Sequence, residues 1–307
     1  MRSVNECFDN VKEDYFKFLN KEKILGKSKA EKIKSLKKIY IPISFWIENK
    51  YKKKGETLFL VFCGGQGSGK TTATRILKII LTKFFERRIH VSSIDEFYKT
   101  SKDRNKMANE IHSLFKTRGV PGTHDINLVK NFFNIIKKKK FKKIKLPKFK
   151  KAADNRLKKK YWYNIKQKPE IVILEGWCVG ARPQSSSLIK KPINILEKYE
   201  DKNLKWRKYV NEKLKKEYKF FFEMIDYFIF MKIPKFKMVF KWRLLQEIKL
   251  RQKSYSNKKI MSYNEIKRFV MFYERITLQM KKDSNKSASV VMLLNKNHEI
   301  KKILFKS

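Results

Sequence analysis

The chain has 307 residues, 42% of them hydrophobic, which suffices for one large α/β domain with insertions or two small domains. No apolar run of about 18 residues occurs, so no membrane-spanning helix is expected; the nearest stretch, 220–233, is broken by Glu223, Asp226 and Lys232. The net charge of +47, from 76 basic and 29 acidic residues, suggests a nucleic-acid partner, but 63 of the 76 are Lys spread along the whole chain, which reads as a solvated lysine surface without a specific nucleic-acid partner.

Taken in chain order, Phe16, Phe18, Leu19, Ile33 and Leu36 recur at helical spacing, and a second segment starts at Tyr40-Ile41-Pro42-Ile43 and runs through Ile47. Residues 1–55 therefore read as a helical N-terminal extension packed on the core, with Lys52-Lys53-Lys54-Gly55 as a hinge. Leu58–Cys63 reads as a buried strand. It feeds Gly64-Gly65-Gln66-Gly67-Ser68-Gly69-Lys70-Thr71, the G-x-x-x-x-G-K-[ST] spacing of a phosphate-cradling loop. A helix follows, with Ala73, Ile76, Leu77, Ile80, Leu81 and Phe84 on one face.

Arg88–Ile94 reads as the second strand, ending in Asp95-Glu96-Phe97-Tyr98. Residues 101–165 read as an insertion of helices and loops, with lysine-dense 137–150 as a solvated helix or loop. Ile171–Leu174 is a third strand, ending in Glu175-Gly176-Trp177. Tyr227–Ile233 is a fourth, stopped by Pro234. A long helical region with Ile266, Phe269, Val270, Tyr273, Ile276 and Met280 precedes a fifth strand at 289–294. The expected fold class is α/β: a mainly parallel five-stranded P-loop NTPase sheet with helices on both faces, filling a domain at 56–307. An N-terminus interrupted by Glu6, Asp9, Glu13 and Asp14 carries no signal-peptide pattern, and the 3 scattered cysteines suit reduced thiols, so a cytoplasmic location is expected. The sequence leaves oligomeric state open.

The loop glycines let backbone N–H groups turn around an anion at a helix N-terminus. Gly64 through Thr72 are the candidate nucleotide-binding residues. Lys70 is placed to reach the β- and γ-phosphates, and Thr71 to put its hydroxyl on Mg²⁺. In a doubly wound sheet, ligands sit beyond the carboxyl ends of the strands, so Asp95 and Glu175 should face the loop. Two carboxylates beside a triphosphate divide the work: Asp95 is assigned as the base for an acceptor hydroxyl and Glu175 as the Mg²⁺-side carboxylate. Either could instead cap the helix that follows it.

The turn Arg118-Gly119-Val120-Pro121-Gly122-Thr123-His124-Asp125 presents Arg118, Thr123, His124 and Asp125 together. That set suits a small anionic substrate, with Arg for a carboxylate and His or Asp for hydroxyls; Asp125 also reads as the N-cap of a helix holding Leu128, Val129 and Phe132. Arg243, with Arg251 two turns on, fits a lid over the γ-phosphate, although a surface pair with Glu247 is equally compatible. Asn295 and His298 follow the fifth strand, where an adenine pocket is expected.

These segments resemble the plant-type D-glycerate 3-kinases, P-loop small-molecule kinases related to uridine kinase and phosphoribulokinase. The resembling pieces are Gly64–Thr72, Ser93–Tyr98, Arg118–Asp125, Leu174–Gly180, Trp242–Glu247 and Tyr273–Thr277, spread over residues 58 to about 298. The resemblance implies transfer of the ATP γ-phosphate to the 3-hydroxyl of D-glycerate, giving 3-phosphoglycerate, with Mg²⁺. It implies Asp95 as base; Tyr98, Arg118, Thr123, His124, Asp125 and Arg156 are the candidate substrate contacts. Where the family tends to have Phe-Asp-Lys-Ser, this chain has Phe149-Lys150-Lys151-Ala152, followed by Asp154-Asn155-Arg156; Lys151, Asp154 and Arg156 remain candidate contacts. The alternatives are a kinase of another hydroxylated metabolite, such as a nucleoside or pantothenate, and an ATP-binding protein associated with nucleic acid.

Overall fold

The computed structural model describes residues 3–24, 28–253 and 261–306. Three helices open the chain: α1 (Val4–Lys21), α2 (Lys29–Ser35) and α3 (Ile41–Lys54). Ser3 and Ser28 start α1 and α2 with reciprocal capping boxes to Glu6 and Glu31. Lys52, Lys53 and Lys54, expected as a hinge, form the last turn of α3, which Gly55 ends in the left-handed conformation (φ 72°). There β1 (Leu58–Gly64) begins, followed by α4 (Lys70–Lys83) and β2 (Ile89–Ser93).

The segment expected as an insertion holds α5 (Ser101–Glu110), α6 (Ile126–Lys137) and two short antiparallel ribbons. One pairs β3 (Ile144–Leu146) with β6 (Tyr163–Ile165), the other β4 (Phe149–Lys150) with β5 (Asn155–Arg156). The lysine-dense stretch 137–150 thus ends α6 and builds strands; its lysines stay largely exposed while Ile144, Leu146 and Phe149 turn inward. Next come β7 (Ile171–Gly176), α7 (Ser186–Lys190), α8 (Ile195–Tyr199), α9 (Lys205–Lys216) and α10 (Lys219–Met224). Then β8 (Tyr227–Lys232), α11 (Lys237–Lys253), α12 (Tyr263–Ser287), β9 (Val290–Leu294) and β10 (Ile300–Phe305) complete the fold.

The main sheet has the order β10-β9-β8-β1-β7-β2. The five expected strands are all parallel, and β10 adds a sixth, antiparallel strand at the edge. Alternation along β1 divides the core. Phe59, Val61 and Cys63 face a cluster with α6, α9 and α12, whereas Leu58, Leu60 and Phe62 face α1, α3 and α4. The N-terminal helices are therefore continuous with the core: Cys7, Val11, Tyr15 and Leu19 are buried with α4 residues. Helix α6 is likewise a core helix, with Phe133 stacked on Phe59 at 5.0 Å between ring centroids. Among the described residues no helix is long and apolar enough to cross a membrane.

This topology positions the site. β1 lies between β7 and β8, so the chain departs to opposite sides at its carboxyl end and leaves a crevice there.

Candidate active site

The turn from β1 into α4 is Gly64–Gly69, with Gly67 at φ 72° and Gly69 at φ 93°. Gly69 is the N-cap of α4 and brings no side-chain acceptor, so no side chain competes for the first-turn N–H groups. Lys70 Nζ folds back to donate to the Gly65 carbonyl at 3.0 Å. Among the described residues, Ser68 Oγ and Gln66 Oε1 are buried in the loop without a hydrogen-bond partner.

Parallel register brings the two carboxylates alongside. Glu175 on β7 pairs with Phe62 of β1 on one side and with Ser93 of β2 on the other. Asp95 follows on a 3-10 turn, Ile94–Phe97, whose Ile94 packs where a Cβ on Gly176 would sit, 2.5 Å from its Cγ2. Only glycine after Glu175 lets the Asp95 turn come this close. Thr71 Oγ1 donates to Glu175 Oε1 at 2.9 Å. Burial pushes the Glu175 carboxyl above its usual range against the opposing pull of the Lys70 ammonium.

Asp95 is held from two directions. Its Oδ2 accepts from Lys151 Nζ at 2.7 Å, and its Oδ1 accepts from the Tyr98 hydroxyl at 3.0 Å. Burial would raise its pKa, but the Lys151 ammonium, helped by Tyr98, outweighs this and holds the group below the ordinary carboxylate range. Lys151 reaches Asp95 because the β4–β5 ribbon is tied to the same turn: Phe149 N donates to Glu96 Oε2 at 2.7 Å. Asp154, in the left-handed conformation, anchors the ribbon's other side. It accepts from Arg104 Nη2 at 2.8 Å and from Arg118 Nη1.

One open cleft of about 340 Å³ joins these groups. Its walls include Lys70, Thr71 and Thr72 from α4, Asp95 and Glu175 from the strand ends, and Arg118 and Lys151 from the insertion. Arg243 and Gln246 from α11 and Phe269 and Tyr273 from α12 close the far side. Arg243 also pairs with Glu247, one of the two roles read from the sequence, while it lines the cleft. The Arg251 side chain lies outside the described residues. Trp242 and His298 stack behind the loop with centroids 4.5 Å apart, next to Gly67 and Gly69.

No family model matches the chain. The uncharacterized kinase mug58 of Schizosaccharomyces pombe is 29% identical over 247 residues, covering 78% of this chain and 86% of that protein. The chloroplastic D-glycerate 3-kinase of Arabidopsis thaliana is 28% identical over 255 residues, 76% of this chain and 52% of that protein; the chain thus spans about half the length of the plant relative. The solved D-glycerate 3-kinase of Cryptococcus neoformans superposes with a TM-score of 0.71 at 20% identity, covering 86% of this chain and 98% of that one, a likeness of fold. The chain is an ATP-dependent small-molecule kinase, similar in sequence to these kinases.

This kinase does not bring every residue singled out in its sequence to the cleft. Gly64, Gly65 and Ser68 support the loop from below it. Thr123 and His124 are fully buried. Thr123 Oγ1 bonds within its own turn, donating to Val120 O and accepting from Gly119 N. His124 stacks on Tyr98 at 4.4 Å, and its Nδ1 lies 2.5 Å from the Tyr218 hydroxyl. Both therefore shape the turn from inside and do not line the cleft. Asp125 caps α6 through Leu128 N and pairs with Arg156 at 3.0 Å, so those two side chains satisfy each other beside the cleft and do not line it. Lys150 and Ala152, the departures from the family pattern, are exposed and do not line it either.

The structure adds Ser93, Trp177, Gln246, Phe269 and Tyr273 to the lining. Trp177 and Tyr273 meet edge to face at 4.6 Å. Both reach the Arg118 turn: Trp177 Nε1 donates to Gly119 O at 2.9 Å and Tyr273 Oη to Arg118 O at 3.3 Å. The sequence shows Phe269 only as an apolar position of a helix, and Tyr273 as that and as the start of a resembling segment, with nothing local to mark their cleft side.

Proposed function

We propose that this kinase transfers the γ-phosphate of ATP to the 3-hydroxyl of D-glycerate, giving 3-phosphoglycerate. The observation that carries the reading is the convergence of Asp95, paired with Lys151, and Arg118 on the cleft that the phosphate loop opens into. A carboxylate base and two cations within one polar cleft suit a small acceptor bearing both a hydroxyl and a negative charge. The plant and Cryptococcus relatives named for D-glycerate support that choice of acceptor.

The residues divide the work as follows. Asp95, ionised at neutral pH, takes the hydroxyl proton as the acceptor oxygen bonds to Pγ and the bond from Pγ to the β-phosphate oxygen breaks, its electron pair leaving with ADP. Lys70 and the α4 N-terminus hold the phosphates, and Arg243 offsets charge from the lid side. Thr71 and Glu175 would hold Mg²⁺: their 2.9 Å contact pairs a hydroxyl with a buried carboxylate, the all-oxygen donor type that ion prefers. Bound there, Mg²⁺ would supply positive charge to the transferring phosphoryl group. Two protein oxygens suffice for such an ion, because it normally takes its remaining ligands from water and phosphate.

An acceptor panel tests the reading. The pure protein is given Mg-ATP with D-glycerate, L-glycerate, glycerol, a nucleoside, pantothenate or RNA. ADP should form in step with 3-phosphoglycerate and only with D-glycerate. Acceptor-independent phosphate release stimulated by RNA would overturn the proposal in favour of a nucleic-acid-associated ATPase.

A further inference from the structure

The acceptor side of the cleft has an uneven charge balance. Asp95 and Lys151 neutralise each other at 2.7 Å. Asp154 is shared by two guanidinium groups, Arg104 and Arg118, of which Arg104 is almost fully buried and Arg118 lines the cleft. At Asp154 one negative charge thus faces two positive ones. Lys151 differs from both arginines in freedom. Its side chain is 65% exposed and that of Asp95 27%, on a ribbon fixed at Phe149 and Asp154 on either side of it. The ammonium can therefore swing while its backbone stays in place.

We propose that Lys151 selects the acceptor by exchanging partners: its ammonium leaves Asp95 Oδ2 for the negative group of an incoming hydroxy acid, which frees the base beside the acceptor hydroxyl. This rests on the kinase reading above and assigns its choice of an anionic acceptor to Lys151. The exchange conserves the ion pair, so a hydroxy acid recovers the energy of breaking the Lys151–Asp95 contact, whereas a neutral alcohol must break it without return. Arg118 completes the grip, since Arg104 continues to satisfy Asp154 when Arg118 turns toward the ligand. The selected acceptor then reacts as described above, its proton passing to Asp95 as ADP departs.

The test compares D-glycerate with D-glyceramide, its neutral amide, in the full-length protein and in Lys151→Gln and Lys151→Arg. The wild-type chain should favour the anion in kcat/KM. Lys151→Gln should lower that preference about 10- to 100-fold, the worth of one charged hydrogen bond. Lys151→Arg should restore most of it, which a purely structural role would not require. D-Glycerate binding measured by calorimetry, with a non-hydrolysable ATP analogue present, should weaken in parallel in Lys151→Gln. Undiminished preference for the anion in Lys151→Gln, or equal losses in the Gln and Arg variants, overturns the inference while leaving the kinase reading intact. Failure of the wild-type protein to phosphorylate any hydroxy acid overturns both.

Discussion

Thr71 and Glu175 stand 104 positions apart in the chain, yet the hydroxyl of one donates to the carboxylate of the other at 2.9 Å. The contact exists because β1 and β7 run in parallel register and release their chains at the same edge of the sheet. It unites the first turn of the phosphate-loop helix with the tip of a neighbouring strand, where the proposed metal must bind.

Glu175→Gln should therefore raise the Mg²⁺ concentration needed for half-maximal turnover about tenfold or more, a typical cost of disturbing a metal site. Titrating turnover against Mg²⁺ at saturating ATP checks this. An unchanged Mg²⁺ dependence would remove Glu175 from the metal's side.

Asp95→Asn keeps the shape of the side chain and its contact with Tyr98 but cannot take a proton. Turnover should fall by about 10²–10⁴, the usual worth of a general base. ATP binding, followed by fluorescence of a labelled nucleotide, should stay within a few-fold of wild type. Weaker ATP binding with turnover preserved at saturation would reassign Asp95 to the nucleotide.

Much of this site could be read from the sequence, for physical reasons. Strands such as Leu58–Cys63 and Ile171–Leu174 are apolar on both faces because helices cover both, and such runs stand out. Parallel strands also carry their chemistry at one edge, so Asp95 and Glu175 could be placed beside the loop from position alone. What could not be read depends on distant packing. Strand β10, Ile300-Lys301-Lys302-Ile303-Leu304-Phe305, covers only a sheet edge and has no buried residue, so it lacks a buried run. Only the resemblance marks Lys151 among its lysine neighbours, and its pairing with Asp95 depends on the ribbon folding against Glu96. His124 looks like a ligand in a polar turn until Tyr98 and Tyr218 enclose it.

That enclosure has a pH consequence. Burial is the main cause that lowers the His124 pKa to about 4, from 6.5 in an unfolded chain. Between those values the unfolded chain binds a proton that the folded one refuses, so this group costs stability as pH falls from 6.5 toward 4. At pH 5 its share should be about 2 kcal/mol. Urea unfolding at pH 7 and pH 5 should show a smaller loss for His124→Asn, which keeps a nitrogen or oxygen near Tyr218, than for wild type. Equal losses in the two proteins would mean that His124 does not titrate in this way.

Gly119 lets two aromatic residues meet the Arg118 turn. It sits at φ 140°, and an added Cβ would lie 2.3 Å from the Tyr273 hydroxyl. Gly119→Ala should cost about 1–3 kcal/mol in stability through strain and overpacking. KM for the acceptor should rise as Tyr273 and Arg118 shift, and the affinity for ATP should change little. Thermal melting with acceptor kinetics measures both, and a variant as stable and as tight for acceptor as wild type would contradict the packing described.

A phosphoryl group is expected to move from ATP to a carbon-bound hydroxyl at the cleft built from Lys70, Asp95 and Glu175. Phosphorus NMR of a reaction containing Mg-ATP and D-glycerate tests it most directly, with Lys70→Ala run alongside. The expected result is a phosphomonoester signal growing as the γ-phosphate signal declines, and a rate at least about 10² lower in Lys70→Ala. Inorganic phosphate as the sole product, or an unimpaired Lys70→Ala protein, would contradict the account.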